Sequence, residues 1–538
     1  MIHPAWRAAV AGLLLELGGC TLGPDFLRPS PPEVPAYRNA DGKDAAVSLS
    51  TNPDPRWWKG FNDPVLTELI ETAIRNNLDV QQAVLRVIES RQGIVTARSA
   101  GLPMLNGSGS YMREQIGARG ILESRGVYQQ LNNLSNQAQG SGQLASLGLP
   151  SGSGGSATRL LNGVTQPIDL FQYALSASWE LDLFGRVRRS VEQARAQAEA
   201  QAEAANDALT SLQSEVAQAY VQLRGAQALQ ASQEENVRSA QASLSLTERR
   251  RRDGLSTSID VEQARTQVLN NQRQLPEYDK QRQQAINRLN LLIGAVPGTL
   301  DDRLSRPAPV PALPNVVGAG IPSTLARRRP DIRQAEAQLH AATAGVGVAV
   351  ANFYPDVSLT GSLGLRATDV GYLTRWASHY YSAGPSISVP IFRGGQLTAN
   401  LTLTRAQAVE AALRYRGTVL NALREVEDAL VSYRYDRIER ERQAQVVRSA
   451  ADTLYLSRNR FSHGLGDFLQ VLDAQRMLET ARQQLVQQHM TLANDVVALY
   501  RALGGGWEDP GANSQAPSVP GVPPVVPAAL DSLAAGVK

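Results

Sequence analysis

Side chains able to do chemistry are few in this 538-residue chain, and most stand alone. The five histidines, His3, His340, His379, His463 and His489, form no pair at metal-ligand spacing. No GxSxG, P-loop or CxxC is present, so the sequence reads as a non-enzyme with no cofactor or metal site. His463, beside Gly464, reads as a turn residue. One thiol has an informative setting. Cys20 is the sole cysteine and cannot form an intrachain disulfide. Arg7 precedes an apolar run at residues 8–17, and Leu17, Gly18 and Gly19 lead into the cysteine. That is a signal-peptide core with small residues at its cleavage point, too short for a spanning helix.

The segment resembles a bacterial lipoprotein signal, which makes Cys20 the expected site of a covalent lipid and the mature N-terminus. Glu16 and the single basic residue depart from the pattern. Thr21 stands where an Asp would resemble an inner-membrane retention signal, so outer-membrane sorting is expected. One acyl chain anchors weakly, and stable anchoring takes two or more. After the signal no run of 18 apolar residues occurs, so spanning must be done by strands closed into a barrel. The net charge of +3, from 53 basic and 50 acidic residues, supplies no field for nucleic acid. The arginines at 249–252 have no interleaved aromatics and read as a solvated helix end.

The elements that position these residues come in two copies. RRRDGLSTSIDVEQART around Gly254 corresponds to RFSHGLGDFLQVLDAQRM around Gly464, with Val261 and Val471 210 residues apart. RNNLDVQQAVLRV corresponds to RRPDIRQAEAQLH at a spacing of 252, from Asp79 to Asp331. The difference places some 40 extra residues in the Gly/Ser-rich loop of the first copy. Six segments are expected: a signal at 1–19, a Pro-rich lipidated leader at 20–62, a first repeat at 63–293, a linker at 294–320, a second repeat at 321–507 and a flexible tail at 508–538. In the first repeat, Asn62-Asp63-Pro64 reads as a capped helix start running to about Gly101. Between residues 186 and 252 there is no proline, and Ala205, Leu212, Ala219 and Ala226 recur every seven residues with Ala202, Leu209, Val216 and Leu223 between them. That helix would reach about 100 Å, whereas the helix after Gly254 would reach only about 57 Å. The helix from Pro64 is therefore expected to stack end to end with the one after Gly254 and complete the cover. In the second repeat a helix is expected from Ile321-Pro322 towards Asn352, then a long helix to the turn at Gly464.

Each repeat also carries two strands, read at 103–112 and 171–184 and again at 356–366 and 384–392. In the second strand Tyr173, Leu175, Ala177, Trp179, Leu181 and Leu183 share a face. Val357, Leu359, Leu363 and Leu365 do so in the third, and Ile387, Val389 and Ile391 in the fourth. Four strands cannot close a barrel, since bacterial barrels begin at eight. A barrel therefore requires several copies; three would give twelve strands, and arithmetic leaves a dimer or tetramer open.

The segments CTLGPDFLRP, WWKGFNDPVLTELIETAIRNNLDV, SWELDLFGRVRRS, RRRPDIRQAEAQL, VANFYPDVSLTGSLG, GLGDFLQVLDAQR and ALGGGW, in this order, resemble the TolC/OprM-like outer-membrane efflux family, in particular its NodT-type lipoprotein branch. The resemblance implies a mainly α fold with a transmembrane β-barrel. A duplicated helical-hairpin and β-hairpin unit would assemble as a homotrimer, with a 12-stranded barrel of four strands per chain and a long periplasmic α-helical tunnel. It implies the exit duct of a tripartite pump, working with a periplasmic membrane-fusion adaptor and an inner-membrane transporter of RND type. The bacterial outer membrane, its lipid and the periplasm are then the setting, with no nucleic acid. Ser176, Ser178, Ser358, Thr360 and Ser362 would face a wet lumen. In the family the glycine turns form the closed periplasmic tip, where Asp473 and Leu469 would form acidic and apolar rings. Gln470 replaces a second acidic residue found in some relatives, so the ring would be less charged. Gly254, Leu255 and Ser256, with Gly464, Leu465 and Gly466, are the expected adaptor contacts. Two rival readings are a protein-secretion duct of the same fold and a periplasmic coiled-coil scaffold. Strand alternation and the lipoprotein signal argue against the scaffold.

Overall fold

The computed structural model describes residues 21–30, 34, 36–39, 47–48, 54–115, 120, 124–126, 129, 133, 167–314, 316–320 and 322–507. Cys20, the signal segment, most of the Gly/Ser-rich loop and the tail lie outside these residues. The chain divides into two compact units, one made of Met1–Leu22, Thr96–Arg189 and Val348–Thr398, the other of Gly23–Val95, Ser190–Gly347 and Ala399–Lys538.

Helices and strands alternate in a duplicated order. Short β1 (Val47–Ser48) precedes α1 (Pro64–Asn76), α2 (Leu78–Ser99), β2 (Met104–Glu114), β3 (Ile168–Leu181), α3 (Arg186–Arg252) and α4 (Ser258–Leu292). Then follow α5 (Asp301–Leu304), β4 (Val317–Gly318), α6 (Pro322–Arg328), α7 (Pro330–Ala351), β5 (Asp356–Ala367), β6 (His379–Ser388), α8 (Gln396–Ser462) and α9 (Phe468–Ala502). The long helices α3 and α8 both have 67 residues and the returning helices α4 and α9 both have 35, so the duplication holds to the residue. No described helix is long and apolar enough to cross a membrane.

The first unit holds an antiparallel four-stranded sheet of order β2-β3-β5-β6. Its pairing register sorts side chains by face, because successive strand residues point to opposite sides. Tyr173 aligns with Leu365 and Gly109, Leu175 with Leu363, and Trp179 with Leu359, giving one apolar face. Ser176 aligns with Asn106 and Ser362, and Ser178 with Thr360, giving a polar face. Each of the five polar positions expected from the sequence lies there. Asp182 turns the sheet into α3, accepting hydrogen bonds from the backbone N–H groups of Val187 (3.0 Å) and Arg188 (2.9 Å).

Strand boundaries depart from the sequence reading. β3 covers Ile168–Leu181 rather than 171–184, because Asp182 is needed as the helix cap, which leaves Leu183 outside the strand. β6 covers His379–Ser388 rather than 384–392, so Val389 and Ile391 lie beyond it. Pro390 cannot donate to a ladder, and the strand stops before it.

In the second unit the expected single helices are each broken once. The first breaks at Asn77, whose side-chain oxygen caps α2 through the N–H groups of Asp79 (2.9 Å) and Val80 (3.1 Å). Its amide donates to the Leu292 carbonyl at the end of α4 (3.0 Å). The second breaks at Arg329, just before Pro330, and Arg329 donates to the Ala502 carbonyl at the end of α9 (3.0 Å). Asn77 and Arg329 are 252 residues apart, and Leu292 and Ala502 are 210 apart, so both repeats use one joint. The expected end-to-end meeting of helices is there, with the break residue as its pin. Asp63 caps α1 as expected, accepting from Val65 (2.9 Å) and Leu66 (3.1 Å), with Pro64 in the first turn.

The described parts of the leader and linker carry structure that their composition did not imply. Trp57, Trp58 and Phe61 form a buried 3-10 turn, with Trp57 stacked on Tyr500 at 5.4 Å. β1 pairs in parallel with β4. These aromatics join Tyr220, Leu223, Ile286, Leu492 and Val496 in the principal core.

Candidate functional site

The two hairpin tips follow one backbone path. α3 ends in a turn at Gly254 (φ +75°), and α8 ends in the same turn at Gly464 (φ +77°). Leu255 N–H donates to the Arg250 carbonyl (2.8 Å), and Leu465 N–H to the Arg460 carbonyl (2.9 Å), the six-to-one bond of a Schellman motif. Only a residue tolerant of left-handed geometry closes such a turn without strain, which accounts for glycine at both places. Leu255 (63% exposed) and Leu465 (70% exposed) then project from the tips into solvent.

The return helices start differently. Thr257 caps α4 in a reciprocal box: its hydroxyl accepts from Asp260 N–H (3.2 Å), and its own N–H donates to the Asp260 carboxylate (2.8 Å). Ser256 adds a hydroxyl bond to the same carboxylate (2.9 Å). Burial opposes ionisation of Asp260, but the bonds from Thr257 and Ser256 prevail and lower its pKa. In the second tip Asp467 caps α9 with one longer bond from Leu469 N–H (3.4 Å), and Gln470 occupies the position of Asp260. Gly466 sits inside this turn.

Along α9, Phe468, Val471, Leu472, Ala474 and Leu478 pack into a small core with Phe461, Leu454 and Ala264. Helical spacing sends Leu469 (48% exposed), Gln470 and Asp473 to the other side, where all three are exposed. Leu469 and Asp473 lie one turn apart on that face, the arrangement expected for consecutive rings.

Several contacts tie the hairpins together, and the sequence reading missed them; beside those of Arg250 and Glu479, Arg458 of α8 donates to the Ser239 hydroxyl of α3 (2.6 Å). Arg250 of the first tip donates to the carbonyls of Phe461 (2.7 Å) and Ser462 (3.1 Å) at the end of α8, with its guanidinium 4.6 Å from the Phe461 ring centre. Higher up, Glu479 of α9 accepts from Asn271 (2.9 Å) and Gln267 (2.9 Å) of α4 and from Gln475 (3.1 Å) of its own helix. Burial raises the Glu479 pKa against these three bonds. The joint between the hairpins thus combines a hydrogen-bonded polar seam at Glu479 with a small apolar core nearer the tip, to which Ala264 of α4 contributes. Only the buried Asn and Gln at helical spacing on α4 and α9 could have signalled it.

No group of three or more His, Cys, Asp or Glu suited to a metal occurs among the described residues. His463 bonds locally to the Asn459 carbonyl (2.8 Å), as a turn residue would.

Comparisons with known proteins cover most of the chain. The sequence model of a family described as "Outer membrane efflux protein" matches residues 69–295 and 321–505, one span per repeat. The toluene efflux pump outer membrane protein TtgC of Pseudomonas putida is 31% identical over 514 residues, 94% of this chain and 96% of that protein. Nodulation protein T of Rhizobium leguminosarum bv. viciae is 30% identical over 510 residues, 94% of this chain and 95% of that protein. Among solved structures, the outer-membrane channel OprN superposes with a TM-score of 0.77 at 30% identity, covering 91% of this chain and all of that one.

Proposed function

The chain belongs to the outer membrane efflux protein family, and from that premise we propose that it is the exit duct of a tripartite pump, opened at its hairpin tips. The observation carrying this reading is the two-faced sheet. Its outer strands β2 and β6 each have one edge with no partner strand among the described residues. Unpaired backbone is costly in lipid, so copies must join edge to edge until the sheet closes. Three copies give the twelve strands that the family resemblance implies. The apolar face then meets lipid and the serine and threonine face lines a water-filled lumen.

At the tips, three copies of Asp473 and Leu469 around the axis form an acidic and an apolar constriction, with Gln470 beside them. The exposed Leu255 and Leu465, flanked by Gly254, Ser256, Gly464 and Gly466, are contacts for a periplasmic adaptor. The polar seam through Glu479 lowers the cost of separating the hairpins, because its hydrogen bonds can be exchanged with water, while the small core at Ala264 holds the closed form. A lipid on Cys20 adds the anchor. The cargo is a small organic molecule, in keeping with the relative named for toluene efflux, and it is delivered by an RND-type inner-membrane transporter. Catalysis has no part in this reading.

Membrane fractionation tests it. A heat-modifiable trimer in outer membranes, forming channels in planar bilayers, is the expected result. Release by aqueous extraction would contradict it.

A further inference from the structure

The polar face of the sheet carries charge at few points. At the end nearest α3, Glu180 and Asp356 are both engaged by Arg186. Serine, threonine and asparagine follow, up to the pairing of Ser110, Gln172 and Arg366 close to the β5–β6 turn. Arg366 is the only basic residue on that face among the described strand residues.

Its surroundings fix it in place. The Gln172 amide donates to the Tyr380 hydroxyl (2.7 Å), and Gln172 Oε1 accepts from Arg366 Nε (3.3 Å) and Nη2 (3.0 Å). The guanidinium lies 5.1 Å from the centre of the Tyr380 ring. Gly364 makes this possible: a Cβ there would sit 2.8 Å from the Tyr380 ring and 2.5 Å from the Tyr173 carbonyl. Three strands thus hold one guanidinium with neutral partners only, and the side chain remains exposed. Glu114 shares the face but lies four residues beyond Ser110, about 13 Å at the strand rise and more than the Debye length of about 8 Å. Its field at Arg366 is therefore largely screened.

We propose that Arg366, braced by Gln172 and Tyr380, is an anion-recognition point in the lumen of the duct. Three copies form a cationic girdle that raises chloride relative to potassium at that level of the lumen and receives the carboxylate or sulfonate of anionic cargo. A planar, fork-shaped donor with no competing carboxylate suits such groups. The proposal rests on the barrel reading above, which places the polar face inward.

The test is the reversal potential of the full-length protein in planar bilayers under a potassium chloride gradient. Arg366→Gln is expected to lower the chloride-to-potassium permeability ratio about twofold or more, and Arg366→Glu to lower it further. Arg366→Lys should keep the ratio near that of the unaltered protein. Arg375→Gln, which neutralises an arginine stacked 3.8 Å over Tyr372 in the connecting loop, should leave the ratio unchanged. A conducting Arg366→Gln channel with an unaltered reversal potential overturns the girdle, as does an equal shift from Arg375→Gln. If the unaltered protein forms no channel at all, the barrel reading fails instead.

Discussion

At Gly254 and Gly464 the chain turns along the same path, yet the side chains securing the two turns differ. The helix boundaries of the hairpins are offset by 210 residues, so positions can be read against each other directly. Thr257 faces Asp467, Gln263 faces Asp473, Ala226 faces Asp436 and Ala285 faces Asp495. At these four places the first hairpin is neutral and the second carries a carboxylate. Asp260, which completes the first cap, is replaced by Gln470. The first tip therefore has the firmer cap, whereas the second carries the carboxylate of the proposed gate, Asp473. Duplication supplied the scaffold, and the divergence of one copy supplied the candidate gate.

The largest expected effects lie at the shared joint. Arg329 is buried and bonded to Asp331 (2.6 Å), Glu425 (2.7 Å) and the Ala502 carbonyl. Arg329→Ala leaves two carboxylates without their partner, at a cost of about 3–5 kcal/mol. Asn77→Ala removes a neutral cap and one carbonyl bond, at about 1–3 kcal/mol. Thermal unfolding of the two variants should rank them in that order, and equal losses would show that the joints do not differ.

The next effect is one of pH. Burial, then a hydrogen bond and charge repulsion from Asp436, push Asp495 up to about 7. A raised folded value means that the contribution to stability is full below the ordinary carboxylate range and is lost as pH rises through about 7. Thermal stability should therefore fall between pH 5 and pH 8, and Asp495→Asn should flatten that slope. Asp260 has the opposite sign. Its lowered value means that its contribution is present above the ordinary carboxylate range and is lost as pH falls through the folded value. A slope unchanged by Asp495→Asn would remove Asp495 from the comparison.

The smallest effect concerns the caps. Thr257→Ala should cost about 1 kcal/mol or somewhat more, and Asp467→Ala less, because its single bond is long. Amide exchange should accordingly be slower at 258–260 than at 468–470 in the unaltered protein.

Much of this was legible in the sequence, for definable reasons. Glycine at a left-handed turn, a heptad of small residues and strict two-residue alternation are local signals, and they located the tips, the long helices and both faces of the sheet. The breaks at Asn77 and Arg329 were missed because apolar spacing runs through them, although Pro330 marked the second. β6 was read five residues late because SISVPIF alternates as well as the true strand, and only pairing with β5 sets the register. Arg250, Glu479 and the Asp436–Asp495 pair depend on contacts between distant segments, which no window of sequence contains. Even so, Ala226 and Ala285 set beside the two aspartates mark that pair once the repeats are aligned.

A gate carried by the second hairpin and not by the first would show itself in the closed-state single-channel conductance. Asp473→Ala is expected to raise that conductance several-fold, and Gln263→Ala, at the equivalent place in the first hairpin, to leave it unchanged. An unaltered closed conductance in Asp473→Ala, or an equal rise in Gln263→Ala, would contradict a gate confined to the second hairpin.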